Sequence, residues 1–361
     1  MVNNRHDGKF TFYSSTEYQL ELLARIQQAP VDGRILITTM GFRPEEPSVA
    51  EIMQALYGAA WRGVKTTLLV DAHAFLIKNQ PLGGAPGPLW YSKKLPKRLR
   101  QPYEYRWRYL QRLSEQPAGE YGIINTPSRR FRLPISGRSH IKLAIVNDTI
   151  FLGGCNLQSP QLIDMMVSLT DKPLADYLYT LFKKVQTDKQ VWRTLAGQDI
   201  SKQLDDNTTL LIDAGIKGQS VILHSAIELI DAAKKWVLIT CQFFPNSVTA
   251  AALSRAHQRG VKVEIIFSHP SMHGRIGAVA HRANMLRERW RVPANFFGSM
   301  IAKQSTMLHA KLLATDAGTM IGSHNYVRAG VVLGTAEIAW LSHDPDFTSE
   351  ALAVFERARL V

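Results

Sequence analysis

His309 and Lys311 stand two residues apart in "LHAKLLATDAGTMIGSHN", residues 308–325, and the same segment carries Asp316, Gly322, Ser323 and Asn325. A second segment, "SHIKLAIVNDTIFLGGCN" at 139–156, repeats the pattern with His140, Lys142, Gly154 and Asn156. The differences 156 − 140 and 325 − 309 are both 16, so the interval from histidine to asparagine is kept. A single His-x-Lys reads as a core histidine beside a snorkelling lysine. Two copies with the same downstream asparagine point instead to one composite site assembled from both halves of the chain.

Two imidazoles, two lysines and two asparagines suit the opening of a phosphodiester. One neutral histidine attacks phosphorus and forms a covalent phosphohistidine, which divides a hard displacement into two easier ones. The partner histidine, protonated, donates to the departing oxygen and later takes a proton from the incoming nucleophile. Lys142, Lys311, Asn156 and Asn325 hold the non-bridging oxygens as phosphorus becomes five-coordinate. The positive charge comes from side chains, so this chemistry calls for neither a metal nor a cofactor. The two imidazoles must differ in protonation near neutral pH and titrate as a coupled pair. Each also needs an orienting partner on its other ring nitrogen, and Asp164 and Glu337, just after the asparagine turns, are the candidates.

Apolar runs such as "LLA" behind each histidine read as buried strands, and residues two apart on a strand leave from one face. The duplication reaches further. "RILITTMGF" at 34–42 parallels "WVLITCQFF" at 236–244, each after an amphipathic helical pattern. "AAWRGVKTTLLVDA" parallels "AHQRGVKVEIIFSH", with Gly63 or Gly260 closing a helix before a strand. Arg62 and Arg259 are 259 − 62 = 197 apart, whereas the histidines are 309 − 140 = 169 apart, so the first half holds about 28 extra residues. Alternating strands and helices imply an α/β chain with a mixed or largely parallel sheet in each half. The polar stretch 197–209 reads as the linker, giving domains at 1–200 and 201–361, with an insertion at about 76–115 in the first.

The second segment resembles the HxK(x)4D…GSxN pattern of the phospholipase D superfamily, with His309, Lys311, Asp316, Gly322, Ser323 and Asn325 in place. The first resembles it with two departures: Asn147 stands at the motif aspartate, and "GGCN" replaces GSxN. That "GGxN" form, and the ending "GSHNYVRAGVVLGTAEIAWLS", are similar to bacterial cardiolipin synthases and related phosphatidyltransferases. The resemblance covers nearly the whole chain. It implies two α/β/α sandwich domains related by a pseudo-twofold axis, with the active site at their interface. It also implies that His140 attacks and His309 acts as the acid, while Asp316, Gly322, Ser323 and Gly154 support the motif.

Composition bears on the partner. Lysine and arginine number 43 against 30 acidic residues, a formal charge of +13, which favours a polyanion: an anionic membrane surface or nucleic acid. "LWYSKKLPKRLRQPYEYRWRYL" at 89–110 carries Lys93, Lys94, Lys97, Arg98 and Arg100 with aromatics such as Trp107 interleaved. That mixture suits a headgroup layer, and the same composition could stack bases. Resemblance favours lipid, so the expected partner is a phosphatidylglycerol-like phospholipid, with a nuclease as the alternative. The expected state is a monomer that forms its own pseudo-dimer. No run reaches the roughly 18–20 apolar residues of a membrane span, and two cysteines argue against a disulfide framework. A cytoplasmic enzyme held peripherally on the inner face of the membrane is the resulting expectation. Cys155 and Cys241 read as small buried residues, and His269, His273 and His281 as surface histidines of a loop, with no ligand set for a metal.

Overall fold

The computed structural model describes residues 9–75, 97–124, 137–187, 198–245, 247–270, 274–289, 300–301 and 307–360. The first half runs β1 (Phe10–Ser14), α1 (Ser15–Gln28), β2 (Arg34–Thr39), α2 (Pro47–Trp61), β3 (Lys65–Asp71), α3 (Lys97–Ser114), β4 (Gly119–Ile124), β5 (Leu143–Val146), β6 (Thr149–Gly153), β7 (Met165–Thr170) and α4 (Lys172–Thr187). The second runs β8 (Ile200–Gln203), β9 (Thr208–Ala214), α5 (Val221–Ala232), β10 (Trp236–Cys241), α6 (Val248–Gln258), β11 (Lys262–Phe267), α7 (Gly274–Arg289), β12 (Met300–Ile301), β13 (Leu312–Thr315), β14 (Gly318–Gly322), α8 (Arg328–Leu333), β15 (Ala336–Ser342) and α9 (Pro345–Leu360).

Among the described residues each half builds one mixed sheet. The first has the order β1-β7-β6-β5-β2-β3-β4, and the second β12-β11-β10-β13-β14-β15-β9-β8. The two orders match strand for strand when one is reversed, apart from β8. β2, β3 and β4 are parallel, as are β10, β11 and β12, and the histidine strand pairs antiparallel to the central one in each half. Burial on both faces explains the unbroken apolar runs. In β5, Leu143 and Ile145 face the core shared by both halves, whereas Ala144 and Val146 face the core under α1 and α2. The halves also exchange packing: Phe347 of α9 lies between Phe10 and Phe12 of β1, with ring centroids at 5.2 and 4.8 Å.

The duplicated Arg-Gly has a structural cause. Gly63 and Gly260 adopt φ +96° and +85°, the left-handed closure that a glycine allows most readily. The arginine before each glycine donates to carbonyls at the end of the neighbouring helix: Arg62 to Gln27 at 3.1 Å, and Arg259 to Ile230 at 3.0 Å. Four carbonyls at each helix end lack a partner within the helix, and these arginines satisfy some of them.

Three expectations change here. Part of 197–209 is not a linker, because Ile200–Gln203 forms the edge strand β8, paired with β9. Nor is the basic aromatic segment wholly an insertion. Its second part is α3, which occupies the place in the first half that α7 occupies in the second. The third concerns His281, which is not on a surface loop: it lies on α7, 3% exposed, and its Nε2 accepts from the amide of Phe244 at 2.9 Å. That amide fixes the His281 ring, and spacing alone does not reveal it. His273 lies outside the described residues.

Candidate active site

Each histidine sits in the extended lead-in to its strand, His140 before β5 and His309 before β13. The halves are stitched together at these points. Ser139 forms a parallel bridge to Ala336, and Leu308 to Ile163. His140 then donates its amide to the carbonyl of Ala336 at 2.8 Å, as His309 does to Ile163 at 2.8 Å. The next residue after each bridge on one side is the histidine, and on the other a carboxylate. The register therefore sets Glu337 beside His140 and Asp164 beside His309.

The pairs are crossed. His140 Nδ1 lies 2.9 Å from Glu337 Oε2, and His309 Nδ1 lies 2.5 Å from Asp164 Oδ2. Each imidazole is thus oriented by the opposite half, and with Nδ1–H on the carboxylate its Nε2 lone pair is free for chemistry. Asp164 and Glu337 were legible as orienting residues; the exchange between halves was not.

The departures in the first motif follow from this geometry. Ser323 donates its hydroxyl to Glu337 Oε2. The matching residue is Gly154, where a Cβ would lie 1.9 Å from Asp164 Oδ1. The shorter aspartate draws its carboxyl close to the turn, so the residue there must lack a side chain. Gly322 is needed for a different close approach, since its Cβ would meet the carbonyl of Ile338 at 2.3 Å. Asp316 accepts the amides of Lys234, Lys235 and Trp236 at 3.1, 3.0 and 3.2 Å, a purely structural anchor. Asn147 takes that role in the first half. It accepts the amide of Arg34 at 3.1 Å and adopts φ +55°, a conformation asparagine tolerates.

Both histidines, both asparagines and Glu337 line one cavity of about 550 Å³. The lysines do not. Lys142 and Lys311 are buried behind the wall, and each ammonium folds back onto the carbonyl of its own histidine, Lys142 to His140 at 2.6 Å. Their charge reaches the cavity as a field. Asn156 is fixed by the amide of Gly41 at 2.9 Å and the hydroxyl of Thr39 at 3.4 Å. Asn325 Oδ1 is buried with no partner among the described residues.

Burial drives both imidazoles down to about 4. Glu337 opposes this at His140 while Lys142 adds to it, and Lys311 adds to it at His309 while Asp164 opposes. Both rings are therefore neutral near pH 7, not divided as the chemistry alone suggested. Burial works against ionisation of Glu337, yet the charge and hydrogen bond of His140 outweigh it and bring the carboxyl to about 2. Asp164 is likewise held below its usual range by His309 and Lys311 against the effect of burial. Burial and the neighbouring Lys311 bring Lys142 down to about 7, and burial also lowers Lys311.

Sequence reading missed other cavity residues. Arg43, Arg106 and Arg138 line it, alongside Met40, Phe42, Leu162, Phe243 and Met307. Arg138, two residues before His140, pairs with buried Asp71 at 3.4 Å, and Arg106 pairs with Glu45. An arginine so close to a reactive histidine was the available signal for Arg138; nothing local marked Arg43. Of the expected membrane residues, Trp107 is 38% exposed on α3. Lys97, Arg98 and Arg100 lie on the same helix, and Lys93 and Lys94 lie outside the described residues. Among the described residues no cluster of His, Cys, Asp or Glu is placed to hold a metal ion, and no helix is long and apolar enough to cross a membrane.

Residues 226–359 match the family described as "Cardiolipin synthase, PLD-like domain". The structure is similar to phosphatidylserine synthase from Haemophilus influenzae Rd KW20, at 15% identity and TM-score 0.72, covering 97% of this chain and 86% of that one. It is also similar to polyphosphate kinase from Porphyromonas gingivalis, at 14% identity and TM-score 0.55, covering 97% of this chain and half of that one. No curated protein matches the chain. The family match lies in the second half, and the first repeats its sheet and its histidine site. The second half is therefore similar to the PLD-like domain of that family, and the likeness to the two solved structures is one of fold.

Proposed function

We propose that this enzyme transfers a phosphatidyl group from a phosphatidylglycerol-like donor to an alcohol, through a phosphohistidine on His140, in the manner of a cardiolipin synthase. The observation that carries the proposal is the crossed pairing, which leaves two Nε2 atoms at one cavity. His140 Nε2 attacks phosphorus, the bond to the departing alcohol oxygen breaks, and His309 Nε2–H supplies that oxygen with a proton. The incoming hydroxyl then gives its proton to His309 as its oxygen displaces His140. Solvent supplies the proton for the first step, taken up by His309 as the anionic substrate binds. Without substrate both rings are neutral near pH 7, and the two buried carboxylates face Lys311 and a Lys142 that burial and Lys311 bring down to about 7. A bound phosphodiester adds one negative charge, which one imidazolium neutralises.

The description of the matching family supports a phospholipid substrate. The apolar wall, with Met40, Leu162 and Met307, suits the glycerol and acyl portion. On α3 the exposed rings of Tyr105 and Trp107, with Lys97, Arg98 and Arg100 in the same helix, suit docking to the headgroups of an anionic membrane on its inner face. A monomer is sufficient, because the chain supplies both histidines.

Product analysis with phosphatidylglycerol vesicles tests the reading. Cardiolipin and glycerol are expected, whereas phosphatidic acid alone would make the enzyme a hydrolase. The net charge of +13 favours one second reading, a nuclease. EDTA-resistant cleavage of single-stranded DNA beside inert vesicles would establish it in place of the first.

A further inference from the structure

The lysines stand behind the cavity wall, so phosphate oxygens entering the cavity need donors at the wall itself. A third histidine is placed there. His324, 3% exposed, lines the cavity between Ser323 and Asn325. Its Nδ1 accepts the amide of Tyr326 at 2.9 Å. A nitrogen that accepts carries no proton, so the neutral ring bears its hydrogen on Nε2. Burial holds the ring below its ordinary pKa, against the pull of Glu337, and keeps it neutral near pH 7. Among the described residues Nε2 has no hydrogen-bond partner.

We propose that His324 is a further phosphate-binding residue, whose Nε2–H donates to a non-bridging oxygen of the phosphodiester. The pseudo-twofold axis gives it no counterpart. The matching position is Cys155, whose thiol is turned to Ser15 Oγ at 3.6 Å and does not line the cavity. Asn325 departs from its counterpart in the same place, for its Oδ1 is unpartnered where Asn156 is held by Gly41. A fixed donor and a vacant acceptor thus lie side by side at the second-half end of the cavity. They set the second-half side of the cavity apart from the first-half side, which Arg43, Arg106 and Arg138 line.

This inference rests on the reading of the cavity as a phosphodiester site, and two substitutions separate its parts. His324→Asn keeps an acceptor for the Tyr326 amide but loses the group that reaches the cavity. His324→Gln keeps a donor near the Nε2 position and loses the acceptor. Binding of inorganic phosphate by calorimetry, kcat/KM on a soluble phosphodiester and Tm are measured for both. H324N is expected to weaken phosphate binding and lower kcat/KM by about tenfold or more, the worth of a hydrogen bond to a charged group. H324Q should stay within about threefold of wild type in binding, although its Tm falls below that of H324N. Wild-type affinity in H324N, or losses in both variants that simply follow Tm, would overturn the inference and leave the site reading intact. Wild-type protein that binds no phosphate would overturn both.

Discussion

Glu337 Oε2 meets His140 Nδ1 at 2.9 Å across 197 residues of sequence, and it does so from the opposite half of the molecule. The mirror contact joins Asp164 to His309 across 145 residues. Neither half therefore pairs its histidine with its own carboxylate, so both contacts depend on correct docking of the two sheets.

Removing the negative charge while keeping the shape tests this coupling. Glu337→Gln and Asp164→Asn are each expected to lower kcat by about a hundredfold or more with little change in KM, because the imidazole loses its orientation and its stabilised cation. Steady-state kinetics on a soluble phosphodiester checks this. Loss confined to KM would mean that the carboxylates act on substrate binding instead.

Gly154→Ala places a Cβ 1.9 Å from Asp164 Oδ1, so the carboxylate must move and His309 with it. The expected result is a large loss of kcat with the His140–Glu337 pair unaffected. A structure of the variant, or the ring resonances of His309 and His140, would show whether only one pair is disturbed.

Stability should fall on the acid side. Both imidazoles titrate near 4 when folded, against an ordinary 6.5, so the unfolded chain binds more protons between those values. Folding is then penalised progressively as pH falls from about 6.5 to 4, by roughly 3 kcal/mol per ring. Glu337, at about 2 folded against 4.5, extends the loss further down. Tm measured from pH 8 to 4 should decline, and the decline should be shallower when both histidines are replaced by asparagine. An unchanged slope in that double variant would assign the acid lability elsewhere.

The docking reading predicts a split between substrates. Changing Lys93, Lys94, Lys97, Arg98 and Arg100 to glutamine should reduce binding to anionic vesicles and turnover of bilayer substrate, most strongly at low salt. It should spare a short-chain soluble phosphodiester. Equal loss on both substrates would mean that the segment shapes the fold or the cavity.

Much of the site was legible because its residues sit in short repeated segments. His140, Lys142 and Asn156 match His309, Lys311 and Asn325 by spacing alone, and the paired Arg-Gly steps mark corresponding helix ends. What pattern could not give is contact between distant segments. The crossing of Glu337 and Asp164 depends on the Ser139–Ala336 and Leu308–Ile163 bridges, which no periodicity encodes. The lysines looked like phosphate ligands because residues two apart on a strand share a face. They lie just before the strand, where a long side chain can fold back onto its own histidine's carbonyl. His324 went unread inside the motif itself, although an imidazole where the first copy has Cys155 was the visible signal.

The central claim is that His140 carries the phosphoryl group and His309 the proton. Brief reaction with a phosphodiester, followed by a quench that preserves acid-labile adducts and by peptide mapping, tests it directly. The account predicts one phosphohistidine, at His140, absent from His140→Ala, with turnover abolished in His140→Ala and His309→Ala alike. An adduct mapped to His309, or full turnover with no adduct on either histidine, would contradict it.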